Sequence, residues 1–206
     1  MYRLGSLSRG VLAGVAAVAL LVGFASSAAA REPAPNRSTA RFEINFMKNM
    51  IDHHAMAVRM AEMCRDRAVH SQLRSMCKDI ETSQRREIRE MRSWLRDWYN
   101  TDHQPSMMHM PAGEMRRMHE MQMSSGRQFE IHFMTMMIPH HEQAIREAKT
   151  CRNRAHHGDL RQLCRNIIKT QAAEIRTMRS WLCKWYDRCD GRHEGRPGQG
   201  HHGRAA

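Results

Sequence analysis

A phrase built from methionine and histidine occurs twice in this 206-residue chain. It reads Phe42-Glu43-Ile44-x-Phe46-Met47-x-x-Met50-Ile51-x-His53-His54, then Phe129-Glu130-Ile131-x-Phe133-Met134-x-x-Met137-Ile138-x-His140-His141. An α-helix turns once in about 3.6 residues, so Met50, His53 and His54 fall at i, i+3 and i+4 and share a face, as do Met137, His140 and His141. Met47 and Met134 lie one turn earlier. Thioether and imidazole together form a ligand set for soft metal ions, copper above all.

A second cluster lies between the two phrases. Met107, Met108, His109 and Met110 are followed by Met115, Met118, His119, Met121 and Met123, seven methionines in a short polar stretch. Flexible thioethers can gather round Cu(I) or Ag(I) without first losing a proton. If the segment after Pro111 is helical, Met115, Met118 and His119 share a face. The alternatives are a Met-rich amphipathic helix that caps the fold, or sacrificial thioethers that absorb oxidants. Near the C-terminus, His193, His201 and His202 add imidazoles that could take Cu(II). Imidazole binds metal only when neutral, so affinity at the His sites is expected to fall below about pH 6, and less so in the connection.

The duplication dictates the elements that must position these groups. Residues 42–100 align without a gap onto 129–187 at a constant offset of 87, with about half the positions identical. Each copy carries two stripes at helical spacing: Phe42, Phe46, Met50, His53, Ala57, Met60 and Cys64, then Leu73, Cys77, Ile80, Gln84, Ile88, Met91 and Leu95. Each copy is therefore expected to be a helical hairpin. The break falls around Arg67 to Ser71 and, in the second copy, at Gly158-Asp159, with Gly ending one helix and Asp159 capping the next in a capping box with Gln162. Two hairpins with apolar faces most simply make an all-α four-helix bundle, with a long Met/His-rich connection over residues 101–128. The pairs Trp94/Trp98 and Trp181/Trp185 read as packing at helix ends, or as a shield for Cu(I) beside Met91 or Met178. Met60, Met63, Met76, Met91 and Met178 read as core filler.

At the N-terminus, Arg3 and Arg9 precede an apolar run from Val11 to about Phe24, and Ala28-Ala29-Ala30 supplies small residues for cleavage. Residues 1–30 thus read as a secretory signal removed near Ala30, giving a periplasmic or secreted protein. The run is shorter than the roughly 20 residues of a membrane span, so a retained anchor is the lesser alternative. Export would place the six cysteines in an oxidising compartment. Cys64 lies one turn before the hairpin break and Cys77 one turn after it, so the two could pair, and Cys151 with Cys164 repeats the arrangement. Cys183 and Cys189 could tie the last helix to the tail, or ligate metal as thiolates. Residues 191–206, rich in His and Gly, read as disordered. The formal charge of +12 lies partly in the two termini and otherwise on arginines along helix faces. With no recognition motif or stacking module, no nucleic-acid partner is expected. Peripheral contact with anionic envelope polymers suits the basic surface.

The second phrase in full, Phe133-Met134-x-Met136-Met137-Ile138-Pro139-His140-His141-Glu142-Gln143-Ala144-Ile145, resembles the signature of the exported domain-of-unknown-function family 305 (DUF305), and the resemblance covers both repeats. It implies a ferritin-like four-helix bundle in the periplasm or outside the cell, with copper bound by a few members. Carried over by position, it puts ligands at Met134, Met137, His140 and His141. The first repeat departs from the pattern, with Asp52 in place of the Pro and Ala55 in place of the Glu. Its site would be weaker or altered if those residues matter.

Three functions must then be separated. The first is a metal-binding module that sequesters or carries copper, Cu(I) in preference to Cu(II) or Ag(I), for copper homeostasis or resistance. Handing the metal on would call for a copper exporter or chaperone as partner. The second is a di-iron oxidase, which needs Glu-x-x-His repeats on facing helices. No Glu-x-x-His occurs, interior carboxylates look scarce, and Glu43 and Glu130 are the only duplicated acids near the His pairs. No catalytic residue and no organic cofactor are expected. The third is an envelope structural or stress protein whose methionines serve packing and oxidant scavenging.

Overall fold

The structure is a computed structural model that describes residues 32–106 and 112–189. The expected signal segment, the His-rich tail from 191 on, and the candidate ligands Met107, Met108, His109 and Met110 lie outside the described residues. Five helices follow one another: α1 (Arg37–Arg67), α2 (Ser71–Tyr99), α3 (Ala112–Met123), α4 (Gly126–Arg154) and α5 (Gly158–Tyr186). The offset of 87 that relates the repeats carries α2 onto α5 end for end. α1 pairs with α2 and α4 with α5 as hairpins, and the hairpins meet chiefly along α1 and α4. α3 is the short extra helix of the connection and lies against α4.

Local chemistry explains the helix ends. Asn36 caps α1, its side chain accepting from the Thr39 amide at 2.8 Å. α2 and α5 end where Asn100 and Asp187 enter the left-handed region, at φ 46° and 55°, and return amides to carbonyls of the last turn. Gly126 opens α4 at φ +52°, a conformation that costs glycine little.

The second hairpin turn differs from the expectation drawn from Gly158 and Asp159. α4 stops at Arg154, Ala155 is extended, and Gly158 is the first residue of α5. The N-cap is His157, and its side chain forms no cap bond. The turn instead copies Ala68-Val69-His70 of the first hairpin, and the reason lies across the molecule. Its free amides are taken by a carboxylate of the opposite repeat, so no local cap is required.

The core has two halves, each drawn from both repeats. One packs Met60, Leu73 and Ile80 with Phe129, Phe133, Met134 and Met137. The other packs Phe46, Met47, Met50 and Ile51 with Met91, Leu95, Leu160 and Ile167. Full burial of each such side chain contributes roughly 1.5–3 kcal/mol, which neither hairpin could gain alone. Disulfides join Cys64 to Cys77, Cys151 to Cys164 and Cys183 to Cys189, with Cα separations of 6.0, 6.2 and 4.2 Å. No described helix is long and apolar enough to cross a membrane.

Candidate metal centre

α1 and α4 run antiparallel and cross at the two His-His pairs. The rings of His53 and His140, equivalent positions in the two repeats, stack with centroids 3.6 Å apart and planes 14° from parallel. Each Nε2 lies 3.1 Å from the main-chain oxygen of the other residue. A carbonyl only accepts, so both Nε2 atoms carry the proton and donate. Nδ1 of each ring is then the lone-pair nitrogen. Burial, and next the neighbouring imidazoles, hold both rings neutral: His53 is lowered to about 3 and His140 well below the ordinary histidine range. A buried neutral imidazole with a free nitrogen is in the form that binds metal.

The adjacent histidines turn elsewhere. His54 donates from Nε2 to Glu87 Oε2 at 2.7 Å, within its own hairpin. His141 Nε2 lies 2.8 Å from Glu174 Oε2, within ion-pair distance but off the line of a hydrogen bond. Consecutive residues on a helix point about 100° apart. Each pair is therefore split, with one ring at the α1–α4 crossing and one against the companion helix, and centroids 6.1 and 6.3 Å apart.

Glu87 and Glu174 were missed in the sequence, yet a signal was there. They are a duplicated acid at the 87-residue offset, and Glu87 stands at i+3 from Gln84 and i−4 from Met91 on the buried stripe. Ile88, assigned to that stripe, is only partly buried.

Interior carboxylates are not scarce, because Glu43, Glu87 and Glu130 are all buried. Nor are Glu43 and Glu130 beside the His pairs. Glu130 accepts from the amides of Val69 and His70 at 2.7 and 2.8 Å, from His70 Nδ1 at 2.7 Å, and from the Tyr186 hydroxyl. Glu43 repeats the pattern with the amides of His156 and His157, His157 Nδ1 at 2.6 Å, and the Tyr99 hydroxyl. Burial pushes both carboxyls up, but the Tyr, amide and imidazole hydrogen bonds outweigh it and leave both below the ordinary range. Trp98 stacks on His157 at 3.8 Å and Trp185 on His70 at 3.9 Å. The tryptophans thus hold the imidazoles of the opposite hairpin turn. Each carboxylate bolts one repeat to the other and fixes the register in which His53 meets His140.

Of the predicted thioethers, Met47, Met50, Met134 and Met137 are wholly buried, the first two in one core half and the others in the opposite half. In α3, Met118 is buried, while Met115 and His119 are exposed. Among the described residues, no group of three or more His, Cys, Asp or Glu side chains is placed to hold a metal ion. Glu142 pairs with Arg179 at 2.6 Å. Asp52, standing where the second repeat has Pro139, accepts from His103 Nε2 and the Ser106 amide at 2.8 and 2.7 Å, and so fixes the start of the connection.

The family model described as Domain of unknown function (DUF305) matches residues 43–182 and 130–206. Among solved structures, the chain is similar to CopM in the Cu(II)-bound form, at 31% identity and TM-score 0.64, covering 70% of this chain and 97% of that one. It is similar to CopM in the Cu(I)-bound form at 29% identity and TM-score 0.62, over the same shares of the two chains. A DUF305 protein from Streptomyces coelicolor gives 27% identity and TM-score 0.60, covering 69% and 93%. No curated protein sequence matches.

Proposed function

The chain belongs to the DUF305 family, and from that premise we propose that it is an exported, non-enzymatic protein that sequesters or carries copper through methionine and histidine, Cu(I) before Cu(II) or Ag(I). The observation that carries this reading is the stacked pair of imidazoles at the α1–α4 crossing, His140 buried and His53 partly buried, held neutral with one nitrogen of each outside any hydrogen bond. Neutral nitrogen and thioether donors suit a soft monocation and offer little to a hard dication. Support also comes from CopM, a similar protein solved with Cu(I), Cu(II) and Ag bound. The three disulfides and the signal-like N-terminus support export. Copper homeostasis or resistance is the role that follows, with an exporter or chaperone as recipient if the ion is passed on.

The test is Cu(I) titration of the disulfide-intact protein against a competing chromophoric chelator, with Zn(II) and Fe(II) run in parallel. Copper retained against the chelator, with little zinc or iron, is the expected result. A second reading, an envelope structural or stress protein, draws on the full burial of Met47, Met50, Met134 and Met137 in the packed core. Loss of all copper to the chelator would favour it.

A further inference from the structure

On one flank of the α1–α4 crossing lies a cavity of about 190 Å³ whose lining gathers four soft or borderline donors. Met56 and Met60 come from α1, spaced i, i+4. Met136 and His140 come from α4, also spaced i, i+4. Side chains at that spacing lie on one helix face with Cβ atoms about 5–6 Å apart. Two such pairs on facing helices, opening on the same cavity, are the arrangement from which a helical bundle builds a four-coordinate site. Met60, Met136 and His140 are 1%, 7% and 7% exposed, so three of the donors lie under the surface, and Met56 is partly buried. Glu114 and Arg117 of α3 also line the cavity, with Pro139, Gln143 and Arg146 of α4.

The repeat makes this grouping specific. The positions equivalent to Met56, Met60, Met136 and His140 are Gln143, Glu147, Asn49 and His53. None of these three replacements of methionine carries sulfur, and Gln143 lines the same cavity as Met56. Where a duplicated scaffold keeps its histidine but changes three neighbours, packing alone does not explain why all three become sulfur on the same side. The chemistry of three thioethers and one imidazole, all uncharged, selects a soft monovalent ion.

We propose that Met56, Met60, Met136 and His140 form a single Cu(I)-binding or Ag(I)-binding site in this cavity, lined in part by α3. The assignment rests on the soft-metal reading above and gives it a location. His140 is the one member shared with the duplicated phrase. Met60 thereby changes from core filler to ligand, and Met56 and Met136 join it.

The test compares the disulfide-intact protein with the Met60→Leu/Met136→Leu variant, which conserves volume in the core. Both are titrated with Cu(I) against a chromophoric chelator. The variant is expected to lose one equivalent, or to hold it at least about tenfold more weakly, since loss even of an outer-shell partner weakens metal binding about 10–100-fold. Cu K-edge absorption should show sulfur neighbours leaving the ion's shell. In parallel, Ag(I) is added to the unmutated protein carrying ¹³C-methyl methionine, and the ε-methyl signals of Met56, Met60 and Met136 should shift together at the first equivalent. That readout stands even if the double variant folds poorly. A variant that keeps every equivalent, or silver shifts that spare these three methyls, would overturn the assignment while leaving copper binding intact. An unmutated protein that surrenders all copper would overturn the soft-metal reading itself.

Discussion

Replacing Glu130 with glutamine tests the interlock that brings His53 and His140 together. Its carboxylate accepts four hydrogen bonds, from the Val69 and His70 amides, His70 Nδ1 and the Tyr186 hydroxyl. Glutamine removes the charge and turns an NH₂ toward donors. At least one donor is then orphaned at about 1–3 kcal/mol, and charge assistance is lost from the rest, so we expect a cost of about 2–3 kcal/mol. Alanine leaves all four donors without the carboxylate and should cost on the order of 3–5 kcal/mol, as for other broken buried pairs. Glu43→Gln should cost the same, because its donor set is the same. Each carboxylate is ten residues, or about 15 Å, from its crossing histidine, on opposite sides of the crossing, so the two costs should add to within about 0.5 kcal/mol. Guanidinium melts of the disulfide-intact protein at pH 7, followed by circular dichroism, give these values.

The pH arm has a definite sign. The folded carboxyl lies below its ordinary value of 4.5. The stability it contributes is therefore complete above that value and disappears as pH falls from there toward the folded value. The gap between the unmutated protein and Glu130→Gln should accordingly be constant above about pH 5.5 and narrow as the solution is acidified below about pH 4.5. A variant within about 0.5 kcal/mol of the unmutated protein at pH 7, or a gap unchanged to about pH 3.5, would refute the interlock.

Three further outcomes test the proposed ligands and the disulfides. His140→Gln/His141→Gln should lower the copper retained against a chelator while far-ultraviolet dichroism and the disulfides persist; an unfolded variant would instead assign the pair to packing. Substituting Met107, Met108, Met110 and Met115 with leucine, while Met118 and Met121 stay in the core, should remove weaker Cu(I) equivalents without changing the thermal midpoint, and an unchanged stoichiometry would deny the connection a ligand role. Removing the Cys64–Cys77 bond by a double serine substitution should cost roughly 3 kcal/mol, and Cys151–Cys164 a similar amount, since both span 13 residues; denaturant melts of the two variants should give matching values.

Much of the fold was legible because the chain states it twice. The gapless offset set the hairpins, the apolar stripes set the helices, and the place of the first break at residues 68–70 came out as read. Details that depend on the other repeat did not. Gly158 and Asp159 look like a helix stop and cap, but the carboxylate that satisfies that turn is Glu43, more than a hundred residues away. Period alone tells which residues share a face of one helix, and not which helix that face meets. For that reason His53 and His54 looked like one chelating pair, although successive side chains point to different neighbours. For the same reason Met60 looked like filler: its cavity partners Met136 and His140 belong to the other repeat.

The duplicated and the unduplicated positions thus do different work. Glu43/Glu130, Glu87/Glu174 and His53/His140 are polar groups kept in both copies: the first pair grips the opposite hairpin turns, the second faces His54 and His141, and the third bonds each to the other's main chain. Such buried networks fix one register more than they add stability, since apolar replacements of equal volume could hold the core as well. Divergence falls beside that fixed crossing. Asp52 closes one flank by gripping the connection, while Pro139 cannot donate an amide and stands at the rim of the cavity on the other. On the assignment proposed above, a symmetric scaffold with one flank tied down and sulfur gathered at one cavity would hold a single soft-metal site, whereas the sequence repeat leaves open whether the two copies make two sites or converge on one. Copper stoichiometry at the crossing should therefore be one per chain, with any further equivalents held outside it.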